Sequence, residues 1–114
     1  MPSFRRFYYA LVLALAVSAL SSCTPKYVKL TRQGNVRLER EDLGGAEARF
    51  QKALKKSPKY APALVKLGRI RLELRRWDQA NELFTQTIAV DPMMAEAYWG
   101  RGTARLYLDQ LEGA

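Results

Sequence analysis

Residues 64–92 read LVKLGRIRLELRRWDQANELFTQTIAVDP, and this stretch decides the fold because its key residues recur at a spacing of 34. The residues that keep this spacing are Gly34, Gly68 and Gly102; Ala46, Ala80 and Ala114; Phe50 and Phe84; and Pro58 and Pro92. A fixed period of this length predicts a stack of similar helical hairpins, an architecture that serves binding.

The spacing within one unit predicts two antiparallel helices. Gly68 on the first helix and Ala80 on the second carry little or no side chain, so we expect them to face each other and let the backbones approach closely. Phe84 lies one turn after Ala80 on the same face. Pro92 then prevents the second helix from continuing. The helices are predicted over about residues 27–41, 45–57, 61–75, 78–90 and 95–109.

The pattern resembles the tetratricopeptide repeat, whose signature is W-x₂-L-G-x₂-Y, then A-x₃-F, then P. The second unit matches it at Leu67, Gly68, Ala80, Phe84 and Pro92. The resemblance implies an all-α chain of antiparallel hairpins, stacked as a right-handed solenoid of about two and a half repeats. The units are residues 27–60, residues 61–94 and an incomplete third at residues 95–114.

The amino terminus has the pattern of an export signal. Arg5 and Arg6 precede a run of apolar or small residues that ends in Leu-Ser-Ser-Cys at residues 20–23. The run is shorter than the roughly 20 residues that span a bilayer, so residues 1–22 are predicted to be a signal peptide with a helical segment. The ending resembles the lipobox of bacterial lipoproteins, which implies acylation of Cys23 and a short tether over residues 23–26. An ordinary cleavage near Ser21 or Ser22, leaving a free thiol, is the alternative.

Composition restricts the chemistry of the predicted mature chain. The sequence has no His, its one Cys would carry lipid, and Ser57 is the only serine after residue 22. Nucleophile and base pairs, zinc sites and histidine bases therefore lack their residues. We expect no catalytic site, no metal and no cofactor.

The charge predicts contact with a membrane surface. The whole chain has a net charge of +8, and removing Arg5 and Arg6 with the signal peptide leaves +6. Lys26, Lys29 and Arg32 follow the lipidated cysteine closely, where we expect them to contact anionic headgroups. Nucleic acid is not an expected partner, because export separates the chain from it.

In the resembled family, the first helix of each unit lines a concave groove that holds a peptide or protein partner. The resemblance implies a binding set of Thr31, Asn35, Val65, Arg69, Leu72, Trp99, Thr103 and Tyr107. The groove would also include Val28, Leu38, Glu39, Pro62, Glu73, Glu96 and Leu106. The mixture of apolar and polar anchors suits an extended or helical peptide.

One activity of the family is not expected in this groove. The carboxylate clamp that captures the end of a chaperone tail needs Lys, Asn and Arg at five places. Those places hold Thr31, Asn35, Lys66, Glu96 and Gly100, so that only Asn35 matches.

The sequence ends where the second helix of the third hairpin would begin to pack on Gly102. The apolar side of the fifth helix would then face water. We expect either that the chain is the truncated product of a longer gene, or that this C-terminal face is covered by a partner or by self-association.

Together these features predict a non-enzymatic scaffold, anchored by lipid to a bacterial envelope and similar to the tetratricopeptide lipoproteins of pilus or outer-membrane assembly. Thr24 stands where many inner-membrane lipoproteins have Asp, which favours the outer membrane, facing the periplasm. The alternative is that the repeats are the leading arm of an envelope enzyme, such as a peptidase or cell-wall hydrolase, whose catalytic domain lies beyond Ala114.

Overall fold

The computed structural model describes the backbone of residues 2–113 and the side chains of residues 4–16 and 23–113. Its helices are α1 (Pro2–Ser22), α2 (Lys26–Glu39), α3 (Leu43–Lys56), α4 (Ala61–Glu73), α5 (Trp77–Val90) and α6 (Ala95–Glu112). Within residues 2–113 there is no strand, so the all-α class is confirmed. The predicted helix bounds hold to within about three residues.

The helices pair in the order that the repeat predicts. α2 packs against α3 and α4 against α5, and these two hairpins are joined by contacts between α3 and α4. α6 packs on α5 and, over a smaller area, on α4. The stack therefore contains two complete hairpins and the first helix of a third.

α1 stands apart from this stack. Among the described residues it packs against no other helix, and the side chains of residues 4–16 are exposed. Across residues 2–113, no helix combines the length and the apolar character that crossing a bilayer requires. Cys23 follows α1 directly and is exposed, and Thr24 and Pro25 alone separate it from α2.

The glycines of the repeat provide room for phenylalanine rings. A Cβ atom on Gly34 would lie 2.6 Å from the Phe50 ring, and one on Gly68 would lie 2.9 Å from the Phe84 ring. The Phe84 ring is also in contact with Gly100 of α6. It is only 1% exposed, so it is enclosed between α4 and α6.

The alanines of the repeat are buried between the paired helices. Ala46 and Ala80 are fully buried, and the atoms nearest to a Cβ position on Gly34 and Gly68 belong to the phenylalanines one turn after these alanines. The close approach of each glycine to its alanine stays a prediction. Ala114, the third residue of the alanine series, lies outside the described residues.

Arginines hold neighbouring repeats together. Nη1 of Arg71 lies 2.5 Å from a carboxylate oxygen of Glu47, which joins α4 to α3. One period later, Nε of Arg105 donates a hydrogen bond of 3.2 Å to the side-chain oxygen of Asn81. The same repeat position thus forms a cross-link at each step of the stack.

The turns between paired helices have a shared geometry. Glu41 and Arg75, which are 34 residues apart, have φ angles of 60° and 58°, in the left-handed region. The following amides, of Asp42 and Arg76, donate to the carbonyl groups of Arg37 and Arg71 at 2.9 and 2.8 Å. This Schellman arrangement ends α2 and α4. α6 instead continues beyond Asp109, the counterpart of these residues.

The two second helices differ in how they begin. The Asp42 carboxylate accepts a hydrogen bond of 2.9 Å from the Gly45 amide and caps α3. The pKa of Asp42 lies below its ordinary value, mainly because of this hydrogen bond. The Arg37 guanidinium, whose Nη1 lies 2.8 Å from Asp42 Oδ2, lowers the pKa further. The residue at the same position before α5 is Arg76, which provides no side-chain cap.

We therefore expect Arg76→Asp to raise the free energy of unfolding by about 1 kcal/mol, since it adds a capping acceptor and a negative charge at the start of α5. Urea denaturation followed by circular dichroism measures the change. Arg76→Ala is the control, because it removes the same positive charge and adds no acceptor. An equal gain in both variants would show that repulsion by Arg76, and not the missing cap, limits stability.

Candidate groove for a peptide

The predicted binding residues divide into exposed and buried groups. Trp99 is 67% exposed, and Arg69 and Tyr107 are also exposed. Thr31 and Val65 are only 4% and 2% exposed, so they offer almost no surface to a partner here, and their role in binding stays a prediction. Val65 packs with Ala97 and Ala104 of α6, which shows that the next unit covers this repeat position. Trp99 occupies the same repeat position as Val65. It remains exposed because no helix follows α6 within the described residues.

Hydrogen bonds within the helices explain the behaviour of the two threonines. The Thr31 hydroxyl donates to the Tyr27 carbonyl at 2.8 Å, and the Thr103 hydroxyl donates to the Trp99 carbonyl at 2.9 Å. A hydroxyl that is bonded to its own helix leaves mainly its methyl group for packing. Thr103 is half-buried and can contribute that methyl group to the groove.

Asn35 offers a buried hydrogen-bond acceptor. Its Oδ1 atom is buried, and among the described residues no donor bonds to it. A buried acceptor without a partner costs about 1–3 kcal/mol. Because this atom is buried, a bound peptide does not reach it without a rearrangement, and the role of Asn35 in binding stays a prediction. Leu72 is half-buried against the cluster around Phe84, and so contributes mainly to packing.

An open cavity of about 520 Å³ lies where the first two repeats meet. Its lining residues are Leu38, Glu39, Glu41, Leu43, Arg69 and Glu73. The sequence placed four of these in the groove and missed Glu41 and Leu43, which come from the turn and from the start of α3. The lining contains three carboxylates and one guanidinium, that of Arg69. Nε of Arg69 lies 3.7 Å from Oε1 of Glu73. The cavity is therefore acidic, in a chain whose net charge is positive.

The corresponding place between the second and third repeats is filled by aromatic rings. Trp77 stands 34 residues after Leu43, and Tyr107 stands 34 residues after Glu73. Their rings stack with centroids 4.3 Å apart and an angle of 9° between planes. The sequence analysis did not place Trp77 in the groove, just as it did not place Leu43, which occupies the same repeat position. One face of Tyr107 is therefore covered by Trp77.

The places of the carboxylate clamp are occupied in other ways. Nζ of Lys66 lies 3.4 Å from the Glu96 carboxylate, so that α4 and α6 are joined by an ion pair. Gly100 packs on the Phe84 ring. Within residues 2–113, no three His, Cys, Asp or Glu side chains are arranged to hold a metal ion.

Comparisons with known proteins agree with this architecture. A family model described as "Tetratricopeptide repeat" matches residues 37–110. A search of curated proteins gives no match.

Three solved structures illustrate the likeness, and at these identities they show the fold alone. The second repeat domain of Spaghetti (RPAP3), bound to the HSP90 peptide SRMEEVD, has a TM-score of 0.71 at 21% identity, covering 76% of this chain and 81% of that one. The Arabidopsis OM64 domain has a TM-score of 0.70 at 24% identity, covering 75% and 71%. The Sgt2 domain of Aspergillus fumigatus has a TM-score of 0.73 at 18% identity, covering 97% and 75%.

Proposed function

The chain belongs to the tetratricopeptide repeat family, and from that premise we propose that it is a non-enzymatic scaffold holding a peptide or protein partner in its concave groove. The open cavity between the first two repeats carries this proposal, because it lies beside the exposed Arg69 guanidinium and is lined by apolar and charged groups. Small-molecule and peptide sites commonly combine an apolar lining with a few polar groups in this way.

The charges around the groove favour a basic or neutral segment as the partner. Glu39, Glu41 and Glu73 line the cavity, and Glu96 lies further along the groove. An acidic peptide such as the SRMEEVD segment bound by RPAP3 would meet like charges here. A peptide with Arg or Lys would pair with these carboxylates.

Substitutions in the groove test this role. Trp99→Ala should reduce capture of the envelope partner by about tenfold or more, the effect of losing a central anchor, and Glu39→Ala should weaken capture by removing a carboxylate that pairs with the basic segment. The measurement is quantitative mass spectrometry of proteins retained on the acylated chain. Met93→Ala is the matched control, because Met93 is 89% exposed and lies in the turn before α6, outside the groove. Identical catches from all variants would remove the groove from the proposal.

The proposed site of attachment is a lipid on Cys23, after cleavage of residues 1–22. The residues at 20–23 support it, as does the exposure of the Cys23 thiol. Because two residues span at most about 7 Å, the lipid would hold α2 close to the bilayer. Lys26, Lys29 and Arg32 would then lie near anionic headgroups, each contributing about 1 kcal/mol. We place the anchored chain on the periplasmic side of the outer membrane, in pilus or envelope assembly.

Cys23→Ser tests the anchor. We expect it to abolish incorporation of labelled palmitate and to move the chain from the membrane fraction to the soluble fraction. Ser22→Ala is the control, since it changes the residue before the cleavage point and leaves the thiol. Unchanged labelling of Cys23→Ser would disprove lipidation, while loss of label without release from the membrane would show that α1 is retained.

A further inference from the structure

The positive charge of the chain is concentrated in its first hairpin. Residues 26–60 contain ten Lys and Arg against four Asp and Glu, whereas residues 61–114 contain seven of each. Apart from Arg5 and Arg6, the whole net charge therefore belongs to residues 26–60. Charge of one sign that is gathered at one end of a molecule attracts partners of the opposite sign to that end.

Part of this charge lines two adjoining depressions on the surface of the hairpin, which share Gln33 and Val36. Lys29, Val36 and Arg40 recur at intervals of seven and four residues, so they lie along one side of α2. We define the basic face by the valine and the four cations that line the depressions outside any ion pair: Val36, Lys29, Arg32, Arg40 and Arg49. Val36 is 43% exposed and provides an apolar centre between the cations.

The basic face lies on the side of the first hairpin that is turned away from the second repeat. Glu47 of α3 pairs with Arg71 of α4. Arg49 comes two residues after Glu47, which is about 200° further around the helix. Lys52 and Lys56 follow Arg49 by three and seven residues, so they continue the face along α3. α1 does not cover this side, because it packs against no other helix among the described residues.

The cations of the basic face are not neutralised by carboxylates of the same chain. None of the four is in an ion pair within the part of the chain that the structure describes. Asp42 is the one carboxylate that lines the depressions, and it is already paired with Arg37. Glu39 and Glu41 line the cavity between the first two repeats instead. The basic face therefore presents a positive potential to an anion outside the chain.

The basic face is also close to the end of the chain that is best suited to a bilayer. The ring centroids of Tyr27 and Tyr60 are 4.8 Å apart, so the end of α3 lies beside the start of α2. Two residues before α2 is the exposed Cys23, and before it comes α1, where Phe4 and Phe7 are 81% and 77% exposed. A lipid on Cys23 and the apolar side chains of α1 would each bring the first hairpin to a membrane. The anion nearest to the basic face is then a lipid headgroup.

We propose that the basic face docks on the bilayer surface and binds the phosphate groups of anionic lipids. The proposal rests on the membrane attachment proposed above, and it adds the orientation of the attached chain. The cavity between the first two repeats lies on the other side of the hairpin, so the docked chain directs its groove and its later repeats away from the lipid. A partner in solution then reaches the groove without competing with the membrane.

Partition onto vesicles tests the basic face separately from the lipid on Cys23. The full chain with Cys23→Ser carries no lipid, and its binding to vesicles that contain phosphatidylglycerol is compared with its binding to vesicles of phosphatidylcholine alone. α1 is present in every variant, so its apolar contribution is common to all the ratios. Arg32→Gln combined with Arg40→Gln should lower the ratio by about 25-fold, which is about fivefold for each cation lost. A salt concentration of about 1 M should remove most of the preference for the anionic lipid.

The matched control is Arg75→Gln combined with Arg101→Gln. It removes the same charge from the second and third repeats, and neither arginine is in an ion pair within the described residues. Its ratio should fall much less, because these cations lie away from the docked surface. Circular dichroism checks that both double variants keep their helices. A chain that is not lipidated at Cys23 would give the same ratios, so the two proposals fail separately.

A fluorescent label tests the orientation directly. Cys23 is the only cysteine, so Val36→Cys in the Cys23→Ser chain carries one environment-sensitive fluorophore at the centre of the basic face. Its emission should shift to shorter wavelength on vesicles that contain phosphatidylglycerol. Val90→Cys is the control, because Val90 is 41% exposed, as Val36 is 43% exposed, but it lies on α5 in the second repeat. Its emission should stay unchanged.

Three results would overturn the proposal. The first is an equal loss of anionic preference in the two double variants, because net charge alone would then explain the binding. The second is an equal emission shift at residues 36 and 90. The third is an oligomer in analytical ultracentrifugation that Arg32→Gln with Arg40→Gln converts to monomer, because the acidic cavity of a second copy would then occupy the basic face.

Discussion

Phe84→Ala is expected to lower the free energy of unfolding by about 3–5 kcal/mol, the range for removing a fully buried phenylalanine. The Phe84 ring is 1% exposed and touches Gly68 of α4 and Gly100 of α6, so it joins three helices. Neither glycine has a side chain that could move into the space left by the ring. Because small domains have total stabilities of about 5–15 kcal/mol, this loss is a large share of the whole.

Urea denaturation followed by circular dichroism measures this effect, and Val90→Ala on the same helix is the control. Val90 is 41% exposed, so its truncation should cost well under about 1 kcal/mol. Amide hydrogen exchange adds a prediction about location. α6 should lose protection before α2 and α3 do, because the Phe84 ring packs against Gly100 of α6 and not against the first hairpin. If Phe84→Ala and Val90→Ala were equally stable, the ring would not be the centre of the second hairpin.

The period of 34 was sufficient to predict the fold. Glycine, alanine, phenylalanine and proline at fixed positions predict where each helix lies and which helices pair, and those pairs are observed. The contact of each glycine with a phenylalanine ring was not predicted in the same way. Ala80 and Phe84 lie on one helical face a turn apart, and the relative shift of the two helices, which the sequence does not specify, brings the Phe84 ring against Gly68.

The sequence specifies the groove only as a set of repeat positions. Four of the positions carried over from the family, Leu38, Glu39, Arg69 and Glu73, line one cavity. Val65 is buried instead, because the amount of side chain covered by the next repeat depends on packing between units. The carried-over positions also missed Trp77, since residues at the start of the second helix reach into the groove only when their side chains are long enough.

Leucine substitutions at two equivalent glycines should change stability in opposite directions. Gly68→Leu places its Cβ about 2.9 Å from Phe84 Cε1 and 3.0 Å from Cζ, with three further carbons beyond. Gly100 contacts the same ring, which limits its movement. Overpacking of this kind typically costs about 1–3 kcal/mol. Gly102→Leu meets no atom within 4 Å, so it should gain about 0.5–1 kcal/mol from replacing a glycine within a helix.

The melting temperatures of the two variants, measured under identical conditions, make this comparison direct, because both changes replace the same residue at the same repeat position. A gain in both would mean that the Phe84 ring moves aside freely, and the glycine would then not be needed for the hairpin. A loss in both would mean that the surface of α6 around Gly102 is covered in solution.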